Sequence, residues 1–296
     1  MNRRKILLFL GLTFGVNWGM VLVYRLLGGR WSGIGALLLA VAYMFIPMIM
    51  AIVVQRLHRE PVKEPLGISF RLNRWFLVAW LLPPAIAFLT LGITLLLPGI
   101  SYSPEMAGMF ERFKALLTPE QVEQMREQVA AARIHPVWLG LLQGLVAGAT
   151  INAVAGFGEE LGWRGFLQKE LAALGFWRSS FLIGAIWGVW HAPLILQGHN
   201  FPQHPVAGVF LMTLATVFLG PILSYVRVRA NSVIAAAIGH GTVNATYGLA
   251  IMLVKGGNDL TTGVFGLPGI AALALVTLGL YVYDRHFAAE PLDRHL

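Results

Sequence analysis

Apolar stretches long enough to cross a bilayer recur along this chain, near positions 6–24, 34–55, 75–97, 137–157, 179–198, 205–226, 232–254 and 264–283. About twenty helical residues span the roughly 30 Å of a hydrocarbon core. With no water there, every backbone N–H and C=O must be satisfied within the protein, and a helix does this alone. The pattern predicts an all-α membrane protein with about eight transmembrane helices, residues 1–296 forming a single polytopic membrane domain. Composition agrees, with 57% of residues hydrophobic and 12% charged, against roughly 25% charged in a soluble domain. The net charge of +8 sits in short clusters between apolar spans. That distribution reads as topology signals and argues against nucleic acid as a partner, which would call for an extended basic patch. There is no cysteine, so disulfides, thiolate metal sites and cysteine nucleophiles are excluded.

Arg3, Arg4 and Lys5 precede the first apolar run, as the charged region of a signal peptide would. The run is too long for one and no small-residue cleavage site follows, so it is expected to be a retained first span. With the amino terminus in the cytoplasm, the inward segments hold fifteen basic residues, from Arg3 to Lys5, Arg56 to Arg74, Arg164 to Arg178, and Arg227, Arg229, Arg285 and Arg294, against seven outside. This fits the positive-inside rule with both termini cytoplasmic, and Trp31, Trp75, Trp138 and Trp177 near span ends suit an interfacial belt. The longest loop, 98–136, is then outward. Its Thr118-Pro119-Glu120-Gln121 is an N-cap with proline at N1 and glutamine at N3, predicting a short extramembrane helix to about Arg133. Val122, Met125 and Val129 share one face of it, so it lies on the membrane surface or forms a solvated excursion.

An ionisable side chain at membrane depth costs roughly 2.5–3.5 kcal/mol on insertion scales, so one that persists marks a protein interior with a task. Glu159 and Glu160 are the adjacent acidic pair that continues the fourth apolar run, and His191 and His240 lie well inside later runs. Glu160 and Arg164 are four apart and share a helix face, so they can form a charge-assisted pair. That leaves Glu159, about 100° around the helix, free to meet something else. His191 follows Trp187 by one turn, and Pro193 beyond it should break the helix and open space beside the ring. His240 and Asn244 again share a face, and both can donate hydrogen bonds to a developing oxyanion. Each element has a plainer reading as well: charges at a helix end meeting headgroups, or polar side chains tying helices together.

Taken together, Glu159-Glu160-x-x-x-Arg164, Trp187-x-x-x-His191 and His240-x-x-x-Asn244 resemble the motifs of the CAAX protease and bacteriocin-processing family, also called the Abi family, of intramembrane glutamic endopeptidases. The resemblance covers about 137–254, a family-like catalytic core. Trp187 departs from it, since the family has phenylalanine there. The resemblance implies an active site in a cavity between core helices, where Glu159 and His191 activate water, His240 and Asn244 stabilise the oxyanion, and Glu160, Arg164 and Trp187 support them. It implies a peptide or protein substrate at the lipid bilayer, possessing or lacking a lipid modification. The charge count separately places the site where the fourth span meets the cytoplasmic face, so the substrate is expected to enter from that side or laterally from lipid. No cofactor is expected from the resemblance. A catalytic divalent metal such as zinc on Glu159, His191 and His240 is the rival, three N or O ligands plus water being sufficient.

Other peptidase classes fit poorly. Arg30-Trp31-Ser32-Gly33 lacks the first glycine of a rhomboid-type motif, and Asp259, Asp284 and Asp293 lie in loops or at the end of the last span. Two further readings stay open. One is an ion-coupled carrier with Glu159, His191 and His240 as a proton relay, although no internal repeat is visible. The other is a non-catalytic immunity or scaffold protein that keeps the fold.

Overall fold

The computed structural model describes residues 1–113 and 118–292. Arg294, counted above among the inward basic residues, and Asp293 lie outside them. Helices α1 (Arg3–Leu26), α2 (Gly33–Leu57) and α3 (Arg74–Thr94) run back and forth, and a short strand β1 (Ser101–Tyr102) and helices α4 (Ala107–Phe113) and α5 (Pro119–Ala131) follow. Next come α6 (Pro136–Ala149) and α7 (Ile151–Glu160), then a π-helical segment, Leu161–Leu167, and a single turn, α8 (Gln168–Glu170). The chain continues through α9 (Phe176–Trp190), α10 (Ala192–Ile195), α11 (Pro205–Ala230), α12 (Val233–Thr246), α13 (Leu249–Met252), β2 (Val254–Lys255) and α14 (Leu267–His286). The two strands pair antiparallel, Ser101 with Lys255 and Tyr102 with Val254. The protein is an all-α integral membrane protein.

Among the described residues, α1, α2, α3, α11 and α14 are long and apolar enough to cross a bilayer. Their outer faces carry exposed Leu7, Leu22, Leu37, Leu38, Leu77 and Phe210, a surface that only lipid tails solvate cheaply. The other three expected spans fall on shorter helices. The fourth is broken at Thr150, whose φ of −120° and ψ of −100° interrupt α6 and α7. The fifth stops at Trp190, with His191 as its cap. The seventh, α12, ends at Thr246. Apolar runs conceal such breaks because the hydropathy of a segment is indifferent to the dihedral angle in its middle.

These shorter helices are the interior of the bundle. Helix α12 packs along α7, α6 and α3, while α11 packs along α9. Small residues set the spacing. A Cβ added to Gly241 of α12 would stand 2.5 Å from the Ala153 nitrogen and 2.6 Å from the Gly148 carbonyl oxygen. One added to Gly158 of α7 would stand 2.7 Å from the Met44 carbonyl oxygen of α2. The carboxylates that follow Gly158 are therefore pressed between α2 and α12.

The segments with most of the basic residues meet at one end of the bundle. Lys5 Nζ lies 2.7 Å from both Glu60 and Glu170, and Lys169 lies 2.9 Å from Glu60. At the same end Arg229 pairs with Asp284 at 2.5 Å and the Val233 N–H donates to the Gly67 carbonyl. The opposite end holds the β1–β2 ribbon, α4 and α5. Helix α5 has a complete capping box between Thr118 and Gln121. Its Val122, Met125 and Val129 pack on the protein's own apolar core, a resting place that neither the surface nor the solvated reading anticipated. Trp177 likewise leaves the expected interfacial belt for a buried cluster with Phe176, Tyr225 and Leu292.

Candidate active site

Glu160 and Arg164 form the expected pair, Nη1 to Oε1 at 2.9 Å, and both side chains are fully buried. The alternative of a helix end among lipid headgroups is thereby excluded for this hexapeptide. The π-helical segment begins at Leu161, and π-turns inside helices commonly occur at functional sites. The Arg164 guanidinium also lies 4.5 Å over the Trp187 ring, a cation–π contact in a desolvated setting.

Glu159, 2% exposed, is free of that pair and accepts a 2.7 Å hydrogen bond from Trp187 Nε1 through Oε2. The tryptophan that departs from the family pattern is thus a donor to a carboxylate as well as an aromatic wall, a contact phenylalanine could not make. His191 Nδ1 lies 2.8 Å from the Trp187 carbonyl oxygen. A carbonyl only accepts, so Nδ1 carries the proton and a neutral ring keeps its lone pair on Nε2. His240 Nδ1 lies 2.8 Å from Glu160 Oε1, so it too donates from Nδ1, to the same oxygen that Arg164 engages. Glu160 Oε1 thus faces two buried donors, Arg164 Nη1 and His240 Nδ1, an arrangement that keeps this carboxylate from being buried without partners in low dielectric.

Glu159, His191, His240 and Asn244 all line one cavity of about 250 Å³. Trp187 and Trp190 form part of its wall, and α2 contributes Tyr43 and Met44. Of the residues singled out from the sequence, Glu160 and Arg164 sit behind this cavity rather than on it. Among the described residues no group of three or more His, Asp or Glu side chains is disposed to hold an ion, and the Glu159 oxygen and His240 nitrogen just described are engaged by Trp187 and Glu160.

Several contributors were not foreseen. Tyr43, fully buried, donates to the Trp190 carbonyl at 2.6 Å and packs on the Trp190 ring. Asn17 of α1 accepts from Trp190 Nε1 at 2.9 Å and donates to the Tyr43 carbonyl at 3.0 Å. These bonds fix the end of α9, and so His191, to the first two helices. An amide in an otherwise apolar first span was the available signal. His199, Asn200, Tyr247 and Phe265 also line the cavity, and they come from connections whose sequences carry no comparable mark.

The same four residues line a second cavity, of about 530 Å³, among residues 198–203 and 257–266. The site therefore opens towards the end of the bundle opposite Lys5, Glu60 and Lys169. Glu159 was expected where the fourth span meets the cytoplasmic face. It lies deep instead, because α7 continues into the π-helical segment and α8 before the chain reaches the basic end.

With the geometry in hand, comparison with known families gives a match over residues 137–246 to the Rce1-like family, described as type II CAAX prenyl endopeptidase. This agrees with the family that the three motifs resemble. Comparison with curated proteins gives no match.

Proposed function

We propose that this chain is an intramembrane endopeptidase that hydrolyses a peptide bond of a membrane-associated substrate with water activated by Glu159 and His191. At the family level it is CAAX protease-like; the residue roles are those that the motif resemblance implies, and the chemistry of the cavity is consistent with them. Peptide hydrolysis needs a base for water, a proton for the leaving amine and donors for the tetrahedral oxygen. Trp187 Nε1 holds one Glu159 oxygen, leaving the carboxylate oriented with the other free to take the proton of water. His191, with Nδ1 held by the Trp187 carbonyl, exchanges protons at Nε2. The water oxygen attacks the carbonyl carbon as its proton passes to Glu159. The resulting oxyanion is met by the Asn244 amide and by Nε2 of His240, whose imidazolium form Glu160 balances. The C–N bond then breaks as the nitrogen takes the proton back. Glu160 and Arg164 act by positioning His240 and the end of α7.

The observation that carries this reading is the convergence of Glu159, His191, His240 and Asn244, from three separate helical segments, on one cavity inside an apolar bundle. The test is cleavage of a quenched-fluorescent peptide panel, with and without lipid modification, by purified protein in detergent. Glu159→Gln and His191→Ala should each lose at least about a hundredfold, a typical share for a positioned acid or base, while chelator leaves the wild type unaffected. No cleavage of any peptide, or undiminished cleavage by Glu159→Gln, would refute the proposal. Loss under chelator would instead return the metal to consideration.

A further inference from the structure

We infer that the cavity among residues 198–203 and 257–266 is the substrate vestibule, and that it opens on the non-cytoplasmic side of the membrane, so the substrate is a peptide segment presented from that side. The inference rests on the peptidase reading for the word substrate, but its sidedness does not. Three observations combine. First, the vestibule is continuous in its lining with the catalytic cavity through His199, Asn200, Tyr247 and Phe265, and it is about twice as large, 530 against 250 Å³. A peptide backbone reaching Glu159 by this route passes the larger outer chamber before an inner one walled by Tyr43, Trp187 and Trp190.

Second, the vestibule has a braced rim. Asp259 accepts from the Gln203 N–H at 2.7 Å, from the His204 N–H at 3.2 Å and from His204 Nδ1 at 2.6 Å, while Gln203 Oε1 accepts from the Asp259 N–H at 3.2 Å. These bonds tie the loop before α11 to the loop before α14. Asn200, between the two cavities, holds a left-handed backbone at φ 60°, an uncommon conformation outside glycine and one that asparagine tolerates.

Third, the bundle's charge gives this rim a side. Helix α11 runs 26 residues from Pro205, beside the rim, to Ala230, about 39 Å at 1.5 Å per residue. At its far end lie Arg227, Arg229, Lys5, Lys63, Lys169 and Arg178, in the segments that hold fifteen of the 22 basic residues. Short loops rich in Lys and Arg stay in the cytoplasm, so the rim faces away from it.

The absence of cysteine from the chain allows a direct test. Gln203→Cys at the rim and Lys63→Cys at the basic end, both exposed positions, are made singly in the full chain and treated with a membrane-impermeant maleimide in sealed vesicles of known orientation. Gln203→Cys should react from the non-cytoplasmic side and Lys63→Cys only from the cytoplasmic side; the reverse pattern overturns the sidedness. Tyr247→Cys, between the two cavities, is then assayed before and after a bulky maleimide, with Pro202→Cys at the rim as the second variant should Tyr247→Cys be inactive beforehand. Cleavage should fall at least tenfold on modification, and undiminished cleavage overturns the vestibule as the route. Wild-type protein that cleaves nothing refutes the peptidase reading and with it the route, while the labelling still decides which way the rim faces.

Discussion

The buried Glu160–Arg164 pair permits a quantitative test of how the site is held together. Both side chains are fully buried, 2.9 Å apart, and Glu160 Oε1 is shared with His240. Arg164→Met keeps the length of the side chain but takes the guanidinium from a buried carboxylate that is left with His240 alone, which should cost about 3–5 kcal/mol. The lost contact over the Trp187 ring adds up to about 2 kcal/mol, the upper range for a desolvated cation–π pair. Glu160→Gln keeps the shape and an acceptor but orphans the guanidinium, again costing about 3–5 kcal/mol. The double variant removes both charges, and a buried pair replaced by neutral groups of similar volume is often tolerated. It should therefore be no less stable than the worse single variant, with a coupling of about 3 kcal/mol. Denaturant-induced unfolding in mixed micelles, followed by helical circular dichroism, measures all four corners of the cycle. Additivity within about 0.5 kcal/mol, the behaviour of independent sites, would refute the argument.

Trp187→Phe removes the donor to Glu159 and restores the family's aromatic residue. A hydrogen bond to a charged group is worth about 1.5–3 kcal/mol, so kcat should fall roughly 10- to 150-fold, and turnover within twofold of wild type would show that the bond does not contribute. Gly241→Ala forces a methyl into the backbone of α7 and α6 and should lower the melting temperature along with activity. Gly279→Ala, where a Cβ meets nothing within 4 Å, is the control expected to leave both unchanged. Hydrogen bonds from Lys5 and then Lys169 push the Glu60 carboxyl down to about 2. A depressed carboxylate contributes stability above its unfolded pKa near 4.5 and loses it as pH falls towards the folded value. The melting-temperature gap between wild type and Glu60→Gln should thus be full at pH 7 and shrink progressively below about pH 4.5; a gap that is constant down to pH 3 would contradict the assignment.

Hydropathy made the membrane class and the long helices legible, because α1, α2, α3, α11 and α14 each present an unbroken apolar window. It failed at Thr150 and at His191, where a backbone dihedral or a cap divides a run that remains apolar on both sides. The core of the site was legible for the complementary reason. Glu159, Glu160, Arg164, His191 and His240 are ionisable groups where such groups are expensive, so position alone distinguished them. Tyr43 and the residues of the vestibule were hidden, since a tyrosine in an apolar run and an asparagine in a loop are both ordinary. The direction of the opening was equally hidden. Sequence assigns helix ends to faces of the membrane, but which end a cavity reaches depends on how helices of unequal length pack.

The π-helical segment Leu161–Leu167 makes the site sensitive to chain length in a way that substitutions do not reveal. A wide turn accommodates more residues than an α-turn over the same rise, so the segment acts as a phase shifter between the part of the helix anchored among α2 and α12 and the part that reaches Lys169 at the basic end. A residue gained or lost there that the wide turn does not absorb would rotate one part against the other by about 100°. Either the Glu159 and Glu160 carboxylates would swing away from Trp187 and His240, or Lys169 and Glu170 would leave their partners. In sequences descended from this one, the number of residues between Glu159 and Lys169 should therefore be held more tightly than their identities.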